Sequence, residues 1–204
     1  MAKNVKFYKG IYVFDMGRVI TKPANLQQMY RDSNAKCTFE QFKDLFYNSK
    51  KSYESYEGKI GDDEFFEFMR IKSGSDRSAQ ELKQLYYDCK GGIYEDTVKL
   101  IKKLKDEENM VYLLSNLRPV DYEYLSANMN LSMFDMMFLS YGVKMSKPSK
   151  EIFEHVINVL GTNDFTFVDD SPKNIEEAKK AGISNPVQST GENINENITK
   201  ILRL

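Results

Sequence analysis

Six polar residues stand directly behind, or shortly after, short apolar runs, and their types could move a phosphoryl group. Asp15 follows "GIYVF" (10–14), Ser115 and Asn116 follow "MVYLL", Lys147 comes a few residues after "MMFLS" (136–140), and Asp169 and Asp170 end "FTFVDD" (165–170). Three carboxylates suit a hard divalent cation such as Mg²⁺, which takes oxygen ligands and keeps some water and substrate oxygen. A lysine and a hydroxyl opposite them suit a phosphate. One acid is then free to act as nucleophile, forming an aspartyl-phosphate that water later cleaves. Without the cation and Lys147, that many acids would repel one another and remain partly protonated.

These residues can meet only if the elements carrying them line up. The apolar runs at 10–14, 110–115, 136–140 and 165–170 read as buried strands, and "PVQS" (186–189) as a short further one. Between them lie helical patterns around 96–107, from "RPVDYEYLSANM" with Pro119 near its first turn, over "PSKEIFEHVINVLG" with Gly161 as its stop, and over "SPKNIEEAKKAG" with Gly182 as its stop. A last helix ends in "ITKILRL". Strand and helix in alternation imply an α/β fold, a three-layer Rossmann-like parallel sheet covered on both faces. Ligands bind such sheets at the carboxyl ends of the strands, where all six residues would gather. The stretch from about 24 to 90 breaks the rhythm. It is polar, aromatic-rich and helical, with capping boxes at Thr38–Gln41 and Ser78–Glu81 and a helix opening at "GDDEFFEFM". It reads as an inserted helical cap, giving a core of residues 1–20 and 91–204 and a cap of residues 21–90, with hinges near 18–24 and 89–93.

The totals exclude other classes. The chain has 204 residues, 41% hydrophobic and 29% charged, as a soluble globular protein would. A formal net charge of -1 offers no basic field for nucleic acid. Two distant cysteines and one histidine, His155, argue against a zinc site or a disulfide scaffold. No apolar run is long enough for a membrane span, and "MAKNVKFYKG" lacks the apolar core of a signal peptide. The expectation is a cytoplasmic protein whose partner is a small phosphorylated metabolite, with no nucleic acid or membrane involved and the oligomeric state left open.

Each piece has a plainer interpretation. Asp15 could cap a turn, "SN" is a common turn pair, and Lys147 could be a solvated lysine beside Pro148. Asp170 or Ser171 could simply cap the helix that starts at Pro172. His155 reads as filler, and Arg18 as either solvated or at the site's mouth. It is the coincidence of all of them in order that outweighs these interpretations.

The set resembles the haloacid dehalogenase superfamily over essentially the whole chain. Its hhhhDxDx[TV] motif is similar to "YVFDMGRVI", which implies Asp15 as nucleophile with Val19 at the Thr/Val position. The second motif resembles "VYLLSN" and assigns Ser115 to the transferring phosphate, and the third resembles "SKPSKEIF" and assigns Lys147. The fourth, hhhhDDxxxN, resembles "FTFVDDSPKNIEEAKKAGI". That match implies Asp170 as direct Mg²⁺ ligand, Asp169 supporting through water, and Asn174 ordering the loop. The resemblance further implies a C1-type cap, a cation held by Asp15, the Gly17 carbonyl, Asp169 and Asp170, and phosphate contacts from Met16, Gly17, Ser115, Asn116 and Lys147.

One departure shapes the expected activity. Most of the family's phosphatases carry a second aspartate two residues after the nucleophile, as acid for the leaving group and base for water; here that residue is Gly17. A positioned acid contributes on the order of 10² to 10⁴ in rate. The "FDxGxV" pattern resembles bacterial sugar-phosphate phosphatases, so the expectation is an Mg²⁺-dependent phosphatase for a small phosphomonoester, with a sugar phosphate such as a hexose 1-phosphate favoured. The rivals are a weakened phosphate-binding or signalling relative and a metal-free haloacid dehalogenase. The acid pair at 169–170 speaks against the second, because a site without metal would leave it uncompensated.

Overall fold

The computed structural model describes residues 9–203; residues 1–8 of the stretch tested above for a signal core, and Leu204, lie outside the described residues. Five strands, β1 (Ile11–Phe14), β2 (Met110–Ser115), β3 (Met136–Leu139), β4 (Thr166–Asp169) and β5 (Asn185–Gln188), form one sheet in the order β3-β2-β1-β4-β5. Every pairing is parallel. Between β1 and β2 run α1 (Leu26–Asp32), α2 (Phe39–Tyr47), α3 (Lys50–Tyr56), α4 (Asp62–Ser73), α5 (Ala79–Asp88) and α6 (Glu95–Asp106). The later helices are α7 (Pro119–Asn128), the short α8 (Ser140–Val143), α9 (Lys150–Leu160), α10 (Pro172–Lys180) and α11 (Ile198–Leu202).

Successive strand residues point to opposite faces. Phe14, Leu113 and Val168 pack on one side with Leu100, Ile101 and Leu104 of α6. Val13, Leu114 and Phe167 pack on the other with Ile152, Phe153 and Val156 of α9 and Ile175 of α10. Both faces are covered, which is why these strands read as continuous apolar runs rather than alternating ones. The strand expected over 136–140 stops at Leu139. Ser140 opens α8 instead, and its hydroxyl accepts the Leu117 N–H at 3.0 Å while donating to the Tyr56 carbonyl at 2.6 Å.

The five helices α1 to α5 bury a cluster of their own, built on Leu26, Met29, Phe42, Phe46, Phe65, Phe66, Met69, Leu82 and Tyr86. Both capping boxes form, Thr38 with Gln41 and Ser78 with Glu81. Phe42, Phe46, Phe65 and Phe66 are wholly buried core rings, whereas Tyr47 and Tyr53 are 38% and 42% exposed. The chain enters and leaves this cluster through paired backbone: Lys22 N–H donates to the Gly92 carbonyl at 2.9 Å, and Asn25 N–H to the Cys89 carbonyl at 2.7 Å. Gly91 is required here, since a Cβ at that position would sit 2.4 Å from the Pro23 carbonyl oxygen.

Helix α7 ties the cluster to the sheet. Val120 in its first turn belongs to the helical cluster and Leu125 to the sheet's. Arg118, just before α7, is wholly buried. Its Nη2 donates to the Phe46 carbonyl at 2.9 Å and to Ser52 Oγ at 2.8 Å. The guanidinium lies 4.8, 4.0 and 4.0 Å from the ring centroids of Phe46, Tyr56 and Phe65. Ring faces take up a cation that, among the described residues, forms no ion pair with a carboxylate side chain.

Candidate active site

Register brings the polar residues together. Phe14 lies opposite both Leu113 and Val168, so Asp15, Ser115 and Asp169 emerge at the same edge of the sheet. Ser115 in turn pairs with Leu139, and the chain after β3 returns Lys147 to that edge. There the Lys147 ammonium donates to Asp15 Oδ1 at 2.6 Å, to Asp169 Oδ2 at 2.6 Å and to the Leu114 carbonyl at 2.9 Å. All three of its protons are thereby used. Ser115 Oγ donates to Asp15 Oδ1 at 2.9 Å. Lys147 is 3% exposed, which ends its interpretation as a solvated lysine. Asp15 is likewise buried rather than capping an open turn.

The remaining residues hold this set in place. Asn116 clasps the Lys147 peptide, its Nδ2 donating to the carbonyl at 2.7 Å and its Oδ1 accepting the N–H at 2.8 Å. Asn174 Nδ2 donates to both oxygens of Asp169, at 2.9 and 3.0 Å, and Ser171 N–H reaches Asp169 Oδ1 at 2.9 Å. The helix cap is Ser171, whose side chain accepts from Asn174 N–H; that leaves Asp170 free of a capping role. Asp170 faces Arg18 Nε at 3.4 Å, so Arg18 sits at the mouth of the site. The side chain of Met16 is buried in the sheet's cluster, and only its backbone can meet a ligand. Val19 is also buried in that cluster. His155 stacks edge-on against Phe138, 6.0 Å between centroids, as filler would.

Charge in the cluster is unbalanced. Burial pushes the Asp15 carboxyl up to about 7, with Lys147 opposing the rise and Asp169 adding to it. Asp170 is raised as well, by burial first and then by Asp169, against Arg18. Burial lowers Lys147, but Asp15 and Asp169 outweigh it and hold the ammonium above its usual value. One buried lysine, with the largely exposed Arg18 beside Asp170, thus faces three carboxylates whose oxygens lie within 4.8 Å of one another, a donor set that fits a hard divalent cation. Binding would expel the proton that Asp15 holds below its raised pKa. Apparent Mg²⁺ affinity is therefore expected to be full above pH 7 and to fall about tenfold per pH unit below it. Calorimetric titration one unit either side of that value checks this; equal affinity at both would refute it.

The site opens into a cavity of about 640 Å³, lined by Asp15, Ser115, Asn116, Lys147, Asp170 and Asn174. Tyr47, Asn48, Tyr56, Tyr86, Lys90, Asp121 and Tyr124 also line it. The second group was not legible in the sequence. Tyr86 has the spacing of a helical core residue, Asp121 is an ordinary first-turn acid after Pro119, and Lys90 precedes a glycine pair without any motif. Arg118 does not line this cavity; its place is between the helical cluster and α7. Among the described residues no helix is long and apolar enough to cross a membrane.

Topology and site together define a class. Residues 11–182 match the family of haloacid dehalogenase-like hydrolases, and the chain belongs to it. It is an enzyme, a hydrolase, and two proteins it resembles in sequence are phosphatases. A D-ribitol-5-phosphate phosphatase of Bacteroides thetaiotaomicron is 26% identical over 211 residues, spanning 99% of each chain. The sesquiterpene phosphatase AstK of Aspergillus oryzae is 27% identical over 141 residues, 66% of this chain and 71% of that one. Among solved structures, a HAD family enzyme of Bacteroides thetaiotaomicron in complex with magnesium and inorganic phosphate has a TM-score of 0.75 at 23% identity, covering 89% of this chain and 94% of that one. At that identity the likeness is one of fold.

Proposed function

We propose that the chain is an Mg²⁺-dependent phosphatase acting on a small phosphomonoester, a sugar or polyol phosphate, through an aspartyl-phosphate on Asp15. The observation that carries this is the buried chain Ser115–Asp15–Lys147–Asp169, which spends one hydroxyl and one ammonium on a carboxylate facing a cavity of ligand size. Asp15, Asp170, the Gly17 carbonyl and, behind them, Asp169 would hold the cation, which when bound offsets negative charge on the phosphoryl oxygens. Ser115 and Lys147 bind and orient the phosphate, exchanging part of their present hydrogen bonds to Asp15 for ones to its oxygens. An Asp15 oxygen then forms a bond to phosphorus while the bond to the leaving oxygen breaks and carries its electron pair away. Water attacks the same phosphorus and returns Asp15 as a carboxylate. Asn174 and Asn116 act as positioning residues. Residues 21–90 serve as the cap over a core of residues 1–20 and 91–204, and exclude water during transfer. The full-length phosphatase relative with a pentitol phosphate in its name supports the polyol class.

The test is hydrolysis of p-nitrophenyl phosphate with Mg²⁺ and with EDTA. Nitrophenolate leaves without protonation, so the missing acid at position 17 does not mask turnover. Metal-dependent release is expected, and metal-independent release or none would overturn the reading.

Gly17 makes a second, sharper case. Its backbone is not in the left-handed region, and a Cβ there would meet only Asp15 Oδ2, at an ordinary 3.7 Å. Neither strain nor crowding demands glycine, so the absent acid is a chemical choice. Gly17→Asp should raise turnover of alkyl phosphates, whose leaving groups need a proton, by about 10-fold or more, toward the range a positioned acid supplies. Alkyl-phosphate kinetics with and without the substitution decide it, and unchanged rates would sink the idea that leaving-group protonation is what position 17 lacks.

A further inference from the structure

The cavity that holds the carboxylates also carries a polar group that the chemistry above does not use. Asp121 Oδ1 accepts the Tyr86 hydroxyl at 2.7 Å and also the Lys90 ammonium. Asp121 Oδ2 accepts the Arg118 backbone N–H at 2.8 Å. The Lys90 nitrogen lies 3.7 Å from the centroid of the Tyr86 ring. Side-chain exposure is 12% for Lys90 and 8% for Asp121, and all three residues line the same cavity as Asp15.

An ion pair this deep is held for orientation more than for stability, because desolvation offsets much of its attraction. Asp121 is fixed on both oxygens, so it works as a clamp. Lys90 is different: an ammonium has three donors, and Asp121 takes one. The ring face beneath accepts none of them as a full hydrogen bond. The unused donors belong to a side chain at the cavity wall.

We propose that Lys90, clamped by Asp121 and Tyr86, is a specificity-determining residue that donates to hydroxyl oxygens of the leaving group and selects hydroxylated phosphomonoesters over alkyl or isoprenoid ones. This rests on the phosphatase reading. The charge of Lys90 is already matched by Asp121, so a neutral oxygen, not a second anion, is what the site calls for. An apolar chain laid against the pair would strip its residual water and give no hydrogen bond back, which is how sites built to bind a hydroxyl reject analogues that lack it.

The experiment compares kcat/KM for D-ribitol 5-phosphate and hexyl phosphate in the wild type, in Lys90→Met and in Lys90→Arg, with circular-dichroism melts as a check on folding. In the wild type the polyol should be preferred. In Lys90→Met the ratio should fall about tenfold or more, chiefly through KM for the polyol. Lys90→Arg keeps a donor and should restore part of the preference; it carries the test alone if the methionine variant does not fold, since a ratio then lying at or above the wild-type value would refute a role for the lysine's donor geometry. Equal losses on both substrates would overturn the proposal and leave Lys90 as a structural residue. Absence of turnover of p-nitrophenyl phosphate by the wild type would instead overturn the phosphatase reading, and this proposal with it.

Discussion

Asp15→Asn is expected to lower p-nitrophenyl phosphate turnover by about 10⁴-fold or more, the scale on which loss of a covalent nucleophile acts. The amide matches the carboxylate in shape and can still accept from Ser115 Oγ, which now lies 2.9 Å from Asp15 Oδ1. What it lacks is the charge and lone-pair strength to attack phosphorus. The same change should not unfold the protein. Burial and Asp169 already hold the Asp15 carboxyl up to about 7, so its ionised form costs stability at neutral pH, and a neutral group removes that cost. Lys147 keeps Asp169 at 2.6 Å as a partner. Activity should therefore vanish while the melting temperature holds or rises, the trade expected of a site strained for function. Turnover that survives at more than about a hundredth of the wild-type rate would refute Asp15 as nucleophile.

Arg118→Ala should produce the largest loss of stability among single substitutions at the junction of helices and sheet, about 3 kcal/mol. The favourable side is two hydrogen bonds from a charged donor, worth roughly 1.5–3 kcal/mol each, and stacking on three rings, worth about 2 kcal/mol when desolvated. Against it stands the desolvation of a wholly buried guanidinium, several kcal/mol. Alanine recovers the desolvation cost but leaves a void among the three rings, while the Phe46 carbonyl and Ser52 hydroxyl lose a charged donor yet keep their own bond to each other at 2.7 Å. The void decides the sign. A urea-unfolding midpoint close to the wild type's would show that the guanidinium's contacts and its desolvation cancel.

The sheet edge was legible because apolar runs in a buried parallel strand end where the chain leaves the core, and Asp15, Ser115 and Asp169 mark those ends. Helix signals such as Thr38–Gln41 and Gly161 were legible because caps are local. The Lys147–Asp15 contact spans 132 positions in sequence, and only the alternation of strands and helices implied it. Arg118 gave no such clue. Its partner carbonyl lies 72 positions away on α2, and nothing in "NLRPV" tells an aromatic cage from open solvent. Lys90, Asp121 and Tyr86 were hidden for the same reason, since each is ordinary for its own element. The apolar run reads one residue past the end of β3 because Ser140 is as acceptable in a strand as at a helix start, and its bonds to Leu117 and Tyr56 decide the matter.

The backbone pairing of Lys22 with Gly92 and of Asn25 with Cys89 has a mechanical side. Two separate tethers would let the helical cluster swing, twist and slide over the strand ends. Bonded edge to edge, and with Gly91 pressed against Pro23, the two crossings act as one ribbon that resists torsion and in-plane shear but bends across its thin direction. Were helices and sheet to move relative to one another, the ribbon would favour a nod about that bend, and the hold of Arg118 on Phe46 and Ser52 beside α7 would have to give. Tyr47 and Asn48, which line the cavity, would then travel along an arc that the ribbon sets.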